Sequence, residues 1–356
     1  PPRLPRQAET GGRAADLPSI VAEGVAKRFQ RKSGILRLLA QKAGFARPLP
    51  AVQAVDHVTL SIARGEALGL VGESGSGKSV TGFSLVRLID PPGEIVAGTI
   101  RFAGEDIRAA SEERLRALRG DRIAMIFQDP LMTLNPVLSI GEQMSEAILE
   151  HRDIGRSAAL DEAAKALARV GISSPQARLK QFPHEFSGGM RQRVAIATAL
   201  LNDPDLIIAD EPTTALDVTI QSQILFEVQK LAREAGTAVL WITHDLAVVA
   251  ELADRVAVMY AGRIVEIGPV DAVLDAPRHP YTLGLLNSSA TLVAPGGRLN
   301  QIDGVAPRID DRPSGCPFRP RCPNALPLCA DRDPTPTEEG VRSYRCHNPV
   351  PQGDAA

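Results

Sequence analysis

One octapeptide, GESGSGKS at residues 72–79, constrains this chain more than any other stretch of its 356 residues. It fits the pattern G-x-x-x-x-G-K-[ST], follows an apolar segment that predicts a strand, and precedes a segment that predicts a helix. Glycines let backbone N–H groups close around phosphate oxygens without Cβ clashes, and a helix N-terminus adds partial positive charge. The octapeptide therefore predicts a phosphate-binding loop between a strand and a helix.

The side chains of this loop have distinct predicted roles. Lys78 is expected to contact the β- and γ-phosphates of a nucleotide, and Ser79 is expected to ligate Mg²⁺. A glycine-rich loop alone is often only a tight turn, but the Lys-Ser pair and the flanking elements favour a nucleotide site. The predicted nucleotide-binding residues of the loop are Gly72, Glu73, Ser74, Gly75, Ser76, Gly77, Lys78 and Ser79.

Strand-like and helix-like segments alternate along most of the chain, which predicts an α/β fold with a mainly parallel sheet. The segment RSAALDEAAKALARVG has a period of 3.6 residues, and we expect an inserted helical subdomain over about residues 130–190. Prolines and arginines accumulate after residue 269. We therefore predict a disordered leader at 1–18, a main domain at 19–269 and an irregular, cysteine-containing extension at 270–356.

Composition excludes several classes of partner. The net charge is −2 and aromatic residues make up 4% of the chain, so we expect no nucleic-acid partner. No apolar run approaches the ~20 residues that a membrane span needs, and the N-terminus has no signal-peptide core. We therefore expect a cytosolic protein with reduced thiols.

Two further segments point to nucleotide chemistry. LIIADE predicts a buried strand that ends in Asp210, placed to hold Mg²⁺, and Glu211, placed to polarise a water molecule. On its own, such an acidic pair is usually a helix cap or a solvated edge. Its position downstream of the phosphate loop favours the catalytic interpretation.

The segment FSGGM contains a second candidate anion site. Ser187, Gly188 and Gly189 precede a predicted helix, where exposed N–H groups and the helix dipole favour an anion. One chain does not need two phosphate sites for one nucleotide. This second site therefore indicates a nucleotide held mainly by another subunit, although an ordinary Ser N-cap with a glycine turn is the competing interpretation.

Over residues 19–270 the chain resembles the ATP-binding subunits of ABC transporters. The phosphate loop resembles their Walker A motif, LIIADE their Walker B strand, and FSGGM their signature, which is usually LSGGQ. Gln128 in MIFQDP resembles the Q-loop glutamine, Asp217 in ALD the D-loop, and His244 in WITHDL the switch histidine. Phe186 and Met190 depart from the usual signature without removing the Ser-Gly-Gly donors.

The resemblance implies ATP and Mg²⁺ as cofactors and Glu211, His244 and Gln128 as catalytic residues. Gln128 would reach the metal and the attacking water, and His244 the γ-phosphate. Asp217 would transmit the state of the site across the interface of the ATPase dimer. Phe29 would stack on adenine, although a core Phe is the competing interpretation. The implied mechanism is a head-to-tail ATPase dimer that closes on two ATP molecules and reopens after hydrolysis.

RHPYTLGLL and DPLMTLNP resemble segments of the dipeptide, oligopeptide and nickel importer ATPases. This implies a subunit that powers peptide import from the cytoplasmic face of the membrane, as a peripheral protein. The implied partners are a second ATPase subunit, expected to be a paralogue, two transmembrane permease subunits and an extracytoplasmic substrate-binding protein. An importer ATPase for nickel or another solute, and a soluble ABC ATPase outside transport, are the alternatives.

All four cysteines lie in the extension, at Cys316, Cys322, Cys329 and Cys346, with spacing C-x5-C-x6-C-x16-C. These gaps are wider than the usual C-x2-4-C zinc pattern, and a disulfide conflicts with the expected compartment. Four thiolates suit an iron–sulfur cluster, and members of the resembled subfamily carry a 4Fe–4S cluster on such a tail. Zinc, or no metal at all, remains an alternative.

Overall fold

The computed structural model describes residues 18–30, 51–130, 133–212, 218–289 and 301–351. The chain divides into two compact units. Unit 1 contains Ser61–Leu68, Arg101–Ile242 and the start of the chain up to Ile20. Unit 2 contains Val21–Leu60, Gly69–Ile100 and Thr243–Ala356. The predicted leader at 1–18 lies almost wholly outside the described residues, and the predicted boundary at residue 269 stays a prediction.

The described elements alternate between strands and helices in much of the chain. The strands are β1 (Ile20–Phe29), β2 (Val52–Ile62), β3 (Ala67–Val71), β4 (Gly93–Phe102), β5 (Glu105–Asp106), β6 (Ile123–Ile126), β7 (Leu206–Asp210), β8 (Ala238–Thr243), β9 (Arg255–Tyr260), β10 (Arg263–Pro269), β11 (Thr337–Glu339) and β12 (Arg342–Tyr344). The helices are α1 (Lys78–Leu85), α2 (Glu112–Leu118), α3 (Ile140–Leu149), α4 (Arg156–Arg169), α5 (Pro175–Arg178), α6 (Gly188–Ala199), α7 (Val218–Ala235), α8 (Leu246–Leu252), α9 (Val270–Leu274), α10 (Pro280–Ser288) and α11 (Leu328–Asp331). Short 3-10 helices occupy Pro183–Glu185, Ile309–Asp311 and Arg319–Arg321.

Unit 1 contains parallel strands in the order β8-β7-β6. In register, Leu206 of β7 pairs with Ile123 on one side and with Ala238 on the other. All five residues of β7 are buried, which is why LIIAD reads as a continuous apolar run rather than an alternating one. This strand carries the acidic pair to the carboxyl edge of its sheet.

The helical part of unit 1 is built from α3, α4 and α6, and α4 contacts both other helices. The 3.6-residue period predicted for RSAALDEAAKALARVG is confirmed, because α4 buries Ala159, Ala163, Ala164 and Leu167 on one face. Helix α3 begins with a capping box in which Ser139 and Glu142 satisfy each other's backbone N–H groups. These contacts position α6, which carries the signature at its N-terminus.

Unit 2 contains antiparallel strands in the order β11-β12-β10-β9. Strands β11 and β12 come from the extension, and Tyr344 of β12 pairs with Glu266 of β10. The proline-rich composition of the extension gave no indication of these strands. The extension therefore continues a sheet of unit 2.

The extension also shares an apolar core with the rest of unit 2. The ring of Tyr260 in β9 lies 4.6 Å from that of Tyr281 and 5.2 Å from that of Phe318, and Tyr281 and Phe318 are 5.3 Å apart. Cys316 and Cys329 are buried in the same cluster. Aromatic contacts of this kind add to the burial of apolar area. They fasten the extension to the strand that follows α8.

His279 caps α10 from inside this core. Its Nδ1 accepts a hydrogen bond from Tyr281 N at 3.0 Å, and its backbone N–H donates to the buried carboxylate of Glu266 at 2.9 Å. Burial lowers the pKa of His279 from its ordinary value of 6.5 to about 3 and raises the pKa of Glu266. The imidazole is therefore neutral in the folded protein at neutral pH.

In the unfolded chain His279 binds a proton at higher pH than it does in the folded protein. The free energy of unfolding therefore decreases as the pH falls from 6.5 toward 3. We expect the unfolding midpoint in urea to decrease from about pH 7 to about pH 5. His279→Asn keeps a capping acceptor but removes the titration, so its midpoint should decrease less over this range. Equal pH dependence in both proteins would contradict the burial of a neutral imidazole.

Candidate functional site

The phosphate loop lies in unit 2, between β3 and α1. Lys78 begins α1, is 5% exposed, and donates from Nζ to the carbonyl oxygens of Gly72 at 2.8 Å and Glu73 at 3.1 Å. Its ammonium group thus points back along the loop rather than out to solvent. The loop therefore closes around the Lys78 ammonium group.

Two glycines of the loop have no room for a side chain. Gly77 has φ +106°, and a Cβ there would lie 2.7 Å from Ala54 O. Gly72 has φ +151°, and a Cβ there would lie 2.2 Å from Met259 O. Gly75 has φ +79°, but a Cβ there would meet nothing within 4 Å. Close backbone packing therefore requires glycine at positions 72 and 77, whereas Gly75 is needed for its positive φ.

The loop has unused hydrogen-bonding capacity suited to an anion. Ser76 is 5% exposed, and its Oγ has no hydrogen-bond partner among the residues that the structure describes. A buried hydroxyl without a partner is unfavourable, and a phosphate oxygen would satisfy it. Together with the Lys78 ammonium and the α1 N-terminus, Ser76 makes the loop fit a nucleotide phosphate.

A cavity of about 470 Å³ opens beside the loop within unit 2. Its walls are residues 73–76 of the loop, Val52 of β2, Tyr260, Ala261 and residues 306–310 of the extension. The volume falls within the usual range for a small-molecule site. The cavity thus places part of the extension next to the predicted nucleotide-binding loop.

The acidic pair lies in unit 1, at the end of β7. Asp210 is 4% exposed, and Glu211 follows with φ +44°, its N–H donating to Ile242 O at 2.8 Å. A left-handed conformation is unfavourable for a glutamate, so the hydrogen bond from its N–H helps to hold a strained position. Gln128 Nε2 donates to Glu211 Oε2 at 3.1 Å. The structure therefore brings together two of the three predicted catalytic side chains.

The signature segment is at the surface of unit 1. Ser187 is exposed and N-caps α6, accepting a hydrogen bond from Met190 N at 3.3 Å, and a Cβ on Gly188 would meet nothing within 4 Å. Phe186 is 3% exposed, with the Arg178 guanidinium 5.9 Å from its ring centre. The unusual Phe thus anchors the turn in the core, and the Ser-Gly-Gly donors stay accessible.

Three further residues are predicted to take part in the site: His244, Phe29 and Asp217. His244 is exposed and directly follows β8, before Asp245 caps α8 by accepting from Ala247 N at 2.9 Å. Phe29 is half-buried at the end of β1, and the Lys27 ammonium lies 4.8 Å from its ring centre. Asp217 lies outside the described residues. The roles of these residues stay predictions.

The four cysteines are gathered in unit 2. Cys316 N donates to Cys329 O at 2.9 Å, and burial raises the pKa of the Cys316 and Cys322 thiols. Burial also raises the pKa of Cys346 to about 12, and the neighbouring Cys322, Cys316 and Cys329 contribute to this increase. Within the described ranges, no group of three or more His, Cys, Asp or Glu side chains is arranged to hold a metal ion.

Two contacts from the extension to the loop could not be predicted from the sequence. Arg321 forms a two-pronged ion pair with the Glu73 carboxylate at 2.6 and 2.9 Å. Tyr281 accepts a hydrogen bond from Glu73 N at 2.8 Å. Both residues lie more than 200 positions from Glu73, with separations of 248 and 208. Neither a periodicity nor a motif spacing points to such distant contacts.

The fold and the loop define a P-loop nucleotide-binding protein, and comparisons with known proteins make this more specific. Residues 55–214 match the ABC transporter family, and residues 265–329 match the oligopeptide/dipeptide transporter C-terminal region. The chain is 50% identical over 279 residues to the dipeptide transport ATP-binding protein DppD of Bacillus subtilis, a match covering 78% of this chain and 83% of that protein. It is 45% identical over 321 residues to the oligopeptide transport ATP-binding protein OppD of Escherichia coli, covering 90% and 95%.

Solved structures support the same assignment. The dimeric structure of MJ0796, described as a bacterial ABC transporter cassette, has a TM-score of 0.59 and 27% identity to this chain. The match covers 70% of this chain and 98% of that one. This chain therefore belongs to the ABC transporter family, as one of its ATP-hydrolysing subunits. The resemblance inferred from the sequence motifs is confirmed.

The glycine geometry predicts different effects for two alanine substitutions. Gly77→Ala should raise the Kd for ATP by more than about tenfold, since its Cβ would collide with backbone. Gly75→Ala, the matched control, adds a Cβ to open space and should have a smaller effect. Equilibrium titration with a fluorescent ATP analogue measures both. A larger effect from Gly75→Ala would contradict the described loop.

Proposed function

We propose that this chain binds and hydrolyses ATP to power the import of dipeptides or oligopeptides through an ABC transporter. The observation that carries the proposal is the combination, in one chain, of a closed phosphate loop with a C-terminal region matching that of oligopeptide/dipeptide transporters. The relatives named above are dipeptide and oligopeptide transport ATP-binding proteins. We therefore propose a peptide rather than nickel as the solute, and transport rather than a separate role for the ATPase.

In the proposed mechanism, Lys78 and the loop N–H groups bind the phosphates of ATP. Ser79, Asp210 and Gln128 would hold Mg²⁺, the metal expected in this family. Glu211 would polarise the attacking water, and its hydrogen bond from Gln128 supports a shared position for these two side chains. His244 would contact the γ-phosphate, and Phe29 the adenine.

The signature turn would act on a nucleotide bound by the partner ATPase subunit. Its Ser187 and Gly188 are exposed, and α6 presents its N-terminus there. A site at a helix N-terminus binds an anion best when its N–H groups are accessible. Accessibility of these donors favours action between subunits. Asp217 is proposed to contact the same dimer seam.

The proposed partners are a second ATPase subunit, expected to be a paralogue, two transmembrane permease subunits and an extracytoplasmic substrate-binding protein. In the part of the chain that the structure describes, none of the helices combines the length and apolar composition needed to cross a bilayer. We propose a peripheral position on the cytoplasmic face of the membrane, reached through the permease subunits.

We infer that the four cysteines hold a 4Fe–4S cluster. The proximity of the four cysteines supports this inference, because four cysteine ligands suit such a cluster. A single zinc ion is the alternative, and the gaps between the four cysteines are wider than the usual zinc pattern. When bound, a cluster would supply cross-links among otherwise distant parts of the extension. The ATPase mechanism proposed above does not depend on it.

Glu211→Gln tests the hydrolytic mechanism. It removes the carboxylate that polarises water, so we expect the ATPase rate to fall by about a hundredfold or more while ATP still binds. Phosphate release and ATP titration measure these two quantities. Glu251→Gln, on exposed α8 surface, is the matched control and should hydrolyse ATP like the wild type. Full turnover in Glu211→Gln would contradict the mechanism.

Metal analysis tests the cysteine site. After anaerobic purification we expect about four iron and four acid-labile sulfide per chain, with visible absorption. Cys346→Ala should lose that absorption because it removes one ligand. Zinc at about one ion per chain, or no metal at all, would contradict the cluster and leave the ATPase proposal intact.

A further inference from the structure

Arg321 of the extension holds the second residue of the phosphate loop. Its Nη1 and Nη2 bond to the two carboxylate oxygens of Glu73 at 2.6 and 2.9 Å. The Arg321 side chain is 5% exposed, and that of Glu73 is 29% exposed. Two-pronged pairs of this geometry fix the position of a carboxylate more strictly than a single contact does. The pair therefore fixes the start of the loop to the extension.

The arginine is itself rigidly held. Its Nε donates to Asp303 O at 2.8 Å, and its Nη1 also donates to Tyr260 Oη at 3.4 Å. It ends the 3-10 helix Arg319–Arg321, which follows the buried Phe318 and precedes the half-buried Cys322. Contacts within the extension and with Tyr260 of β9 thus set the position of the guanidinium group.

Glu73 passes this restraint to the residues that meet phosphate. Its backbone carbonyl accepts from Lys78 Nζ at 3.1 Å, and its N–H donates to Tyr281 Oη at 2.8 Å. Glu73 also lines the cavity beside the loop. An uncompensated carboxylate at that wall would repel the negatively charged phosphates of ATP.

We propose that Arg321 is a positioning residue for ATP binding, which acts by neutralising Glu73 and holding its carboxylate away from the phosphates. The C-terminal extension is then part of the nucleotide site rather than an appendage to it. This inference rests on the proposed ATP binding at the loop. It adds a residue that the family motifs in the sequence do not include.

The proposal predicts a specific pattern among variants. Arg321→Met leaves the Glu73 charge unpaired, and we expect the Kd for ATP to rise about tenfold. Arg321→Lys keeps the positive charge but cannot form the two-pronged pair with Glu73, so its effect on the Kd should be smaller. The double variant Arg321→Met/Glu73→Gln removes the repelling charge and should regain most of the affinity. At saturating ATP, kcat should change less than KM, because Arg321 does not touch the reacting atoms.

The experiment is titration of the full chain with ATP and Mg²⁺, with kcat and KM measured on the same samples. Arg319→Met, in the same 3-10 helix, is the matched control and should keep the wild-type Kd. Thermal unfolding identifies variants that fail to fold. If Arg321→Met does not fold, Arg321→Lys is compared with Arg321→Lys/Glu73→Gln instead. The inference predicts tighter ATP binding in the double variant, because Glu73→Gln removes the negative charge.

Three outcomes would overturn the inference. An unchanged Kd in a folded Arg321→Met variant would show that the pair is only structural. So would a double variant that binds as weakly as Arg321→Met, because the effect would not pass through the Glu73 charge. A wild-type chain that binds no ATP would instead overturn the proposed function together with this inference.

Discussion

The hydrogen bonds from Lys78 back to the carbonyls of Gly72 and Glu73 close the phosphate loop, and much of unit 2 is arranged around that closure. They bring a nearly buried ammonium group to the start of α1, where the helix dipole adds positive charge. At Gly77 the loop packs so closely on β2 that a Cβ would lie 2.7 Å from Ala54 O. A rigid, positively charged loop binds phosphate with little loss of conformational freedom.

The C-terminal extension depends on the same loop. Its strands extend a sheet of unit 2, its aromatic residues pack on Tyr260, and Arg321 and Tyr281 both contact Glu73. A second ion pair joins Arg312 to Asp56 of β2, and Arg263 bonds the same carboxylate at 2.6 Å. Burial alone raises the pKa of Asp56, but these partners and His57 bring it below its usual range. The extension is thus attached at several points to the rest of unit 2, which contains the phosphate loop.

Local chemistry explains what the sequence could predict. The phosphate loop, the buried strand before Asp210 and the periodic helix α4 each follow from residues close together in the chain. The family resemblance implied separate roles for Gln128 and Glu211, and only the structure shows the contact between them. Arg321 could not be found, because its partner lies 248 positions away and arginines are frequent in the extension. The strands β11 and β12 were missed because each has only three residues among prolines.

We propose that the loop binds this chain's own nucleotide, while the exposed signature turn acts on the nucleotide of a partner subunit. The most direct measurement is ATP binding to the isolated chain at a concentration too low for association, comparing Lys78→Ala with Ser187→Arg. We expect Lys78→Ala to lose ATP binding, whereas Ser187→Arg should keep the wild-type Kd and lose hydrolysis in the assembled transporter. Equal loss of ATP binding in both variants would show that both sites hold one nucleotide. That result would contradict separate nucleotides for the loop and the signature turn.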